Sequence, residues 1–153
     1  MEIEYRKGDL MDTDAHAILH GCNAQGVMGS GVAALVRKKY PEAYEVYRKT
    51  YEMTDHFVPG LIIPAVCDYG INVKIIINAI TQEYYGRDGK RYVSYDGVAE
   101  CLKKANSWLY SHNVNRLAMP QIGAGLGGGD WRVIEAIIES EMTNVKPIVY
   151  VYR

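Results

Sequence analysis

The stretch HGCNAQGVMGSGVA, at residues 20–33, decides how this chain folds. Its first three residues complete a short apolar run over residues 15–22. A polar, glycine-containing segment follows this run. Such a run is typical of a buried strand that enters a loop. Residues 32–39 then end in consecutive cations, which complement the dipole of a helix at its last turn. The stretch therefore predicts a strand, a glycine-rich loop and a helix, in that order.

A second stretch, QIGAGLGGGDW at residues 121–131, repeats this order. Residues 116–119 predict a short strand before it, and apolar positions over residues 133–138 predict a helix after it. Glycine permits a positive φ and lets backbone amides approach an anion, while the N-terminus of the next helix adds partial positive charge. In an open α/β sheet such junctions lie at the carboxyl ends of strands, where ligands bind.

The two glycine loops, residues 23–31 and 123–129, favour a ligand whose diphosphate lies between them. The alternative is that their glycines only form tight turns. No Gly-Lys-Ser or Gly-Lys-Thr follows either loop, which excludes a P-loop. The G-x-G-x-x-G pattern at residues 123–128 lacks the acidic residue expected on a following strand, so a dinucleotide fingerprint fits badly.

The rest of the chain continues to alternate strands with helices. Strands are predicted at residues 2–6, 60–66, 74–80 and 147–153, and helices at residues 41–51 and 95–112. This alternation predicts an α/β sheet covered by helices on both faces. The 153 residues include neither a linker nor a repeat, so we expect a single domain over residues 1–153.

The composition narrows the possible partners. A net charge of -1 offers no broad basic surface, so a long nucleic acid is not expected as a partner. No apolar run approaches the length of a membrane span, and the charged start lacks the apolar core of a signal peptide, so we expect a cytoplasmic protein. Three widely spaced cysteines and scattered histidines predict neither disulfides nor a metal site.

At these residues the sequence resembles the macrodomain family. The resemblance rests on Gly8-Asp9-Leu10, on residues 20–33 and on MPQIGAGLGGGDW at residues 119–131, and it extends over essentially the whole chain. The branch it resembles most contains the yeast ADP-ribose 1''-phosphate phosphatase and its bacteriophage relatives. The resemblance implies a three-layer α/β/α fold with a mixed, largely parallel central sheet, and a small-molecule ligand, ADP-ribose or its 1''-phosphate. We expect a monomer without a cofactor.

The resemblance also implies a role for individual residues. Asp9 would accept a hydrogen bond from the adenine amino group, Leu10 would offer a backbone amide, and Asn23 would contact the distal ribose. Tyr152, in preference to Tyr150, would pack against the adenine. Asp9 could instead only cap a turn, and Tyr152 could be an ordinary strand aromatic. The phosphates and the proximal ribose would be held by Gly29, Ser30, Gly31, Val32, Gln121, Gly123, Ala124, Gly125, Leu126 and Gly127.

Two residues are candidates for catalysis of phosphate removal without a metal. His20 ends the second strand and matches the histidine implicated in the phosphatase branch; the alternative is a buried histidine bonded to backbone. Asp130 follows the second glycine loop and could orient water, but its spacing also predicts an N-cap for the next helix. Backbone amides would steady the phosphoryl oxygens.

Two rival functions remain open. Another macrodomain branch removes ADP-ribose from protein glutamate with a lysine and an aspartate, and the matching positions here are Gln82 and Gly127, which disfavours that activity. A non-catalytic reader of ADP-ribose would need the loops but neither His20 nor Asp130.

The segment at residues 84–90 could fold over the distal ribose with Tyr84 or Tyr85, whereas residues 87–90 are interpreted as ordinary surface loop.

Overall fold

The computed structural model describes residues 1–69 and 72–151, which form a six-stranded sheet with helices on both faces. The first half contains β1 (Glu4–Lys7), a short 3-10 helix (Leu10–Asp12), β2 (Ala17–Asn23), α1 (Gly31–Lys39), α2 (Pro41–Met53) and β3 (Ile62–Tyr69). The second half contains β4 (Asn72–Gln82), α3 (Tyr95–Ser111), β5 (Arg116–Met119), α4 (Trp131–Glu141) and β6 (Lys146–Val151).

The sheet is mixed, and its order is β1-β6-β5-β2-β4-β3. All neighbouring pairs are parallel except β3 with β4, which are antiparallel. Because the parallel strands run in one direction, the loops after β1, β2, β4 and β5 leave the sheet at the same edge. That edge carries both glycine loops.

The alternation of side chains along the central strands gives the sheet two buried faces. In β2, Ile18 packs toward α1 and α2, whereas Leu19 packs toward α3 and α4. Ile76 and Ile77 of β4 divide between the same two cores. Near-continuous burial of this kind is typical of a sheet covered on both sides, and the predicted three-layer α/β/α architecture is confirmed.

The predicted elements are all present, with shifts at their ends. The strand predicted at residues 74–80 extends to Asn72–Gln82, and the strand predicted at residues 116–119 has those bounds. The 3-10 helix was not predicted, because three residues are too few for a periodic pattern. The last strand is described to Val151, and the predicted adenine partner Tyr152 lies outside the described residues.

Within residues 1–69 and 72–151, no helix has the length and apolar character that crossing a membrane requires. The three cysteines, Cys22, Cys67 and Cys101, are buried free thiols.

Candidate functional site

The loops after β2, β4 and β5 meet around one cleft with a volume of about 540 Å³. This is the size range of sites that enclose a small molecule. The predicted juxtaposition of the two glycine loops is therefore confirmed. The lining residues are Gly21, Cys22, Asn23, Val27, Gly29, Ser30, Gly31, Val32, Ala33, Thr81, Gln82, Tyr85, Gly86, Arg87, Pro120, Gln121, Ile122, Gly123, Gly125, Leu126 and Gly127.

The first glycine loop is held in shape by the side chain of Asn23. Its Nδ2 donates to the carbonyl of Val27 at 2.9 Å, and its Oδ1 accepts from the amide of Gln25 at 2.9 Å. The buried Tyr47 hydroxyl donates to the backbone carbonyl of Asn23 at 2.7 Å. In this structure the Asn23 side chain therefore stabilises the first glycine loop. Its contact with the distal ribose stays a prediction.

The N-terminus of α1 points its first amides toward the cleft. Ser30 is the N-cap residue, but its side chain makes no capping hydrogen bond. Within the described chain, the amides of residues 31–33 have no protein acceptor. Since all three residues line the cleft, these donors and the helix dipole favour an anion there.

The second glycine loop presents a further set of amides from the opposite side. Its turn is closed by a hydrogen bond from the amide of Gly129 to the carbonyl of Gly123 at 2.7 Å, and Gly123 has a φ of +73°. In the part of the chain that is described, the amides of residues 125–127 find no protein acceptor. The predicted Ala124 belongs to this loop but does not line the cleft.

The charge of the cleft also suits an anion. Among the described residues that line it, there is no carboxylate, and Arg87 is the cation. Arg87 belongs to the segment of residues 84–92 that follows β4, together with the lining residues Tyr85 and Gly86. The interpretation of residues 87–90 as ordinary surface loop is therefore wrong for Arg87, because its segment folds back over the cleft.

His20 lies beneath the cleft and does not line it. Its side chain is fully buried, and Nε2 lies 2.7 Å from Oδ1 of Asn78 on β4. Its ring also contacts Sγ of Cys22 at 3.7 Å, as the two-residue period of the strand predicts. Burial lowers the pKa of His20 from 6.5 to about 4, despite the hydrogen bond to Asn78, which raises it. The ring is therefore neutral near pH 7.

The floor of the cleft contains two other groups of β2 and β4. Cys22 lines the cleft, but burial raises the pKa of its thiol well above the usual value, so this is not an activated thiolate. Thr81 is 1% exposed and also lines the cleft.

Asp130 caps α4, as its spacing predicts. Its Oδ1 accepts from the amide of Arg132 at 3.0 Å, and its Oδ2 pairs with the guanidinium of Arg132 at 3.2 Å. These hydrogen bonds lower the pKa of Asp130. The carboxylate lines a shallow groove beside Ile137 on α4, not the cleft. Neither predicted catalytic side chain therefore reaches the cleft in this structure.

Asp9 and Leu10 lie beyond β6, at the far end of the sheet edge from β4. Asp9 Oδ1 accepts from the amide of Met11 at 2.9 Å and so caps the 3-10 helix, which is the alternative given above. Leu10 is buried in the core. Neither residue lines the cleft, and their role toward an adenine stays a prediction.

Of the cleft residues in β4 and in the segment after it, sequence reasoning named Gln82 and Tyr85 but missed Thr81, Gly86 and Arg87. Thr81 and Arg87 were not proposed, because nothing in their local pattern differs from an ordinary strand end and loop. The available signal was positional: β4 ends beside β2 on the same edge as the glycine loops.

Comparison with known proteins agrees with this geometry. Residues 19–138 match the family model described as the Macro domain. The solved macrodomain of Mycobacterium tuberculosis DarG superposes with a TM-score of 0.84 at 26% identity, covering 97% of this chain and 96% of that one.

The named relatives include DNA ADP-ribosyl glycohydrolases, ADP-ribose 1''-phosphate phosphatases and a human ADP-ribose glycohydrolase. The DNA ADP-ribosyl glycohydrolase of Mycobacterium tuberculosis is 28% identical over 97% of this chain, which spans 42% of that relative's length. The ADP-ribose 1''-phosphate phosphatase of Meyerozyma guilliermondii is 29% identical, with 98% of both chains covered. An uncharacterised 17.5 kDa protein of phage T4 is 28% identical over 97% of this chain and 96% of its own, so the predicted likeness to bacteriophage and yeast proteins is confirmed.

Proposed function

This chain belongs to the macrodomain family, and from that membership we propose that its cleft binds ADP-ribose and that it removes the phosphate of ADP-ribose 1''-phosphate without a metal. The observation that carries the proposal is the pair of glycine loops facing one cleft. Unpaired amides from residues 31–33 and 125–127 approach from two sides, and no carboxylate among the described lining residues opposes them. A diphosphate between the loops satisfies both sets of donors.

The identity of residue 82 favours phosphate removal over the removal of ADP-ribose from protein. Gln82 occupies the position that matches the lysine of the protein-directed branch, and its Nε2 donates to the carbonyl of Tyr84 at 2.7 Å. A carboxamide is not a nucleophilic amine, so it forms no covalent adduct with the ribose. The phosphatase needs no such adduct.

Removal of ADP-ribose from DNA is the second candidate. Its support is the 28% identity to the mycobacterial DNA ADP-ribosyl glycohydrolase, of which this chain spans 42%, and the superposition on the DarG macrodomain. Against it stands the net charge of -1, which gives little attraction for a polynucleotide backbone. The third candidate is a reader, which binds ADP-ribose without turning it over. The experiment described below distinguishes all three candidates.

The catalytic roles of His20 and Asp130 remain predictions. A neutral, fully buried His20 reaches a substrate only if β2 and the loop above it move, whereas it already orients Asn78 and contacts Cys22. Asp130 is half-exposed and already caps α4, and its loop would have to turn its carboxylate toward the cleft. Phosphate removal would proceed by attack of water on phosphorus with cleavage of its bond to the ribose oxygen, which takes up a proton.

The test incubates the purified protein with ADP-ribose 1''-phosphate in the presence of EDTA and follows inorganic phosphate. Parallel incubations contain ADP-ribosylated DNA and ADP-ribosylated protein, with release of ADP-ribose as the readout. We expect phosphate release only. Binding of ADP-ribose in a calorimeter without any turnover would identify a reader, and release from DNA alone would identify the second candidate.

The variants His20→Gln and Asp130→Asn separate catalysis from structure. If His20 acts in catalysis, His20→Gln lowers kcat at a temperature where the variant is fully folded. An unchanged kcat removes His20 from the mechanism, and the same criterion holds for Asp130→Asn. ADP-ribose should also raise the melting temperature of the wild type where NAD does not, because a ligand that binds only the folded state stabilises it.

A further inference from the structure

We propose that the end of the cleft beside β4 is a subsite for a terminal phosphate on the distal ribose, held by the hydroxyl of Thr81 and the guanidinium of Arg87. This inference rests on the proposed function, because it assigns residues to one end of the same ligand. It goes beyond that function by naming what distinguishes the phosphorylated ligand from plain ADP-ribose.

The Thr81 hydroxyl is the first observation. The residue is 1% exposed and lines the cleft, yet within the described residues its side chain makes no hydrogen bond. Every fully enclosed side-chain nitrogen or oxygen of the described chain does have a partner. The Thr81 hydroxyl is therefore open to the cleft, and a ligand placed there can supply its missing hydrogen bond.

Gly21 keeps that hydroxyl accessible. A Cβ added to Gly21 would lie 2.7 Å from Oγ1 of Thr81, which is closer than a carbon and a hydroxyl oxygen pack. Any larger residue at this position would cover the hydroxyl from the β2 side. Since Gly21 also lines the cleft, the two residues together leave a small polar recess in its floor.

Arg87 is the second, independent observation. Its side chain is exposed at the cleft and forms no ion pair or hydrogen bond with any described residue. The adjacent Asp88 is engaged elsewhere, since it accepts from the Tyr92 hydroxyl at 2.8 Å and from the amide of Lys90 at 3.2 Å. The positive charge of Arg87 is thus available to a ligand.

The segment that carries Arg87 is anchored at both of its ends. An isolated bridge joins Gln82 to Val93, and the amides of Tyr92 and Val93 both donate to the carbonyl of Gly127 in the second glycine loop. At Gly86 a Cβ would lie 2.4 Å from the Tyr92 hydroxyl, so the segment packs closely on that ring. These contacts hold Arg87 above the cleft instead of leaving it on a free loop.

Sheet order decides which end of the ligand meets these two residues. β4 lies on the far side of β2 from β5, β6 and β1. If the adenine lies toward Asp9 and the diphosphate lies between the glycine loops, the distal ribose extends to the β4 end. A terminal phosphate carries nearly two negative charges there, and a guanidinium with a hydroxyl is a suitable pair of donors for it. A bare ribose would leave the charge of Arg87 unmatched.

The experiment compares two ligands in four proteins: the wild type, Thr81→Val, Arg87→Ala and the control Lys90→Ala. Lys90 is a cation of the same segment that does not line the cleft and lies 3.9 Å from Asp88. Calorimetry gives Kd for ADP-ribose. For ADP-ribose 1''-phosphate it gives Kd where there is no turnover, and initial rates give KM where there is.

We expect Arg87→Ala to weaken binding of ADP-ribose 1''-phosphate by roughly 10-fold or more, as for loss of a charge-assisted hydrogen bond. Thr81→Val should weaken it by about 2- to 10-fold, as for a neutral hydrogen bond. Both variants should change Kd for ADP-ribose by less than about 2-fold. Lys90→Ala should leave both ligands unchanged. The melting temperature of Thr81→Val should equal or exceed that of the wild type, because valine replaces an unpartnered hydroxyl with a methyl group.

Equal losses for both ligands in Thr81→Val and Arg87→Ala would overturn the subsite while leaving the proposed function intact. A wild type that binds ADP-ribose as tightly as its 1''-phosphate would also overturn it. If the wild type binds neither nucleotide, the proposed function fails and the subsite fails with it.

Discussion

Burial makes His20 a residue whose protonation opposes folding. Its pKa is about 4 in the folded protein and 6.5 in an exposed chain, because desolvation disfavours the imidazolium. Above pH 6.5 the ring is neutral in both states, so its contribution to stability is complete there. Between those two values the unfolded chain binds a proton that the folded chain does not. The free energy of unfolding therefore falls as the pH falls, in total by roughly 3 kcal/mol from this residue.

The variant His20→Gln tests this pH dependence. Urea unfolding at pH 7 and pH 4.5 should show a smaller loss of stability in the variant than in the wild type, since glutamine does not titrate. His16→Gln is the matched control, because His16 directly precedes β2 and is exposed. This variant should lose as much stability between the two pH values as the wild type. Equal losses in all three proteins would mean that His20 is not held neutral by burial.

Two glycines of the second loop differ in how much room surrounds them. A Cβ on Gly127 would lie 2.8 Å from the carbonyl oxygen of Gly123, whereas one on Gly125 would meet nothing within 4 Å. We expect Gly127→Ala to lower the free energy of unfolding by roughly 1–3 kcal/mol and Gly125→Ala to change it by less than about 0.5 kcal/mol. Urea unfolding measures both. Equal stabilities would show that the loop adjusts without strain.

Sequence reasoning at this scale found the glycine loops but not the surroundings of single side chains. Asn23, Ser30 and Gly123 were identified because glycine spacing and the resemblance mark them. The side chain that hydrogen-bonds His20 is Asn78 of β4. A partner so distant along the chain leaves no local signal at residue 20.

At the scale of elements, the helices differ in how their first turns are capped. Ser94 accepts a hydrogen bond from the amide of Gly97 at 3.0 Å at the start of α3, but the Ser30 side chain makes no such bond at the start of α1. Ser94→Ala should therefore lower the free energy of unfolding by about 1 kcal/mol, and Ser30→Ala by only a few tenths. Denaturant titration distinguishes them. A loss of about 1 kcal/mol in Ser30→Ala would mean that it caps α1 after all.

This asymmetry fits the different tasks of the two helices. No described residue of the first turn of α3 lines the cleft, and the amide of Gly97 there is satisfied by the Ser94 side chain. The N-terminus of α1 lies at the cleft, where uncapped amides can serve an anion. Sequence alone placed both helices correctly, because their apolar spacing and flanking residues are local. It did not show that Ser94 caps and Ser30 does not, since both are serines before a helix.

Across the whole molecule, the direction of the strands made the cleft predictable. Parallel strands deliver their following loops to one edge, so two glycine loops after β2 and β5 were expected to meet. The path of residues 84–92 could not be derived in this way. It depends on hydrogen bonds from Tyr92 and Val93 to Gly127, which join segments far apart in sequence. The contacts that hold this segment at the β4 end of the site therefore appear only in three dimensions.

A ligand that bridges the sheet edge should protect both glycine loops together. Amide hydrogen exchange, followed by mass spectrometry with and without saturating ADP-ribose, reports each loop separately. The amides of residues 31–33 and 125–127 lack acceptors within the described chain, so in the free protein they should exchange quickly. Bound diphosphate accepts from both sets, and both should slow in parallel, while the capped first turn of α3 stays unchanged. Protection of only one loop would place the diphosphate on one side of the cleft and separate the other loop from binding.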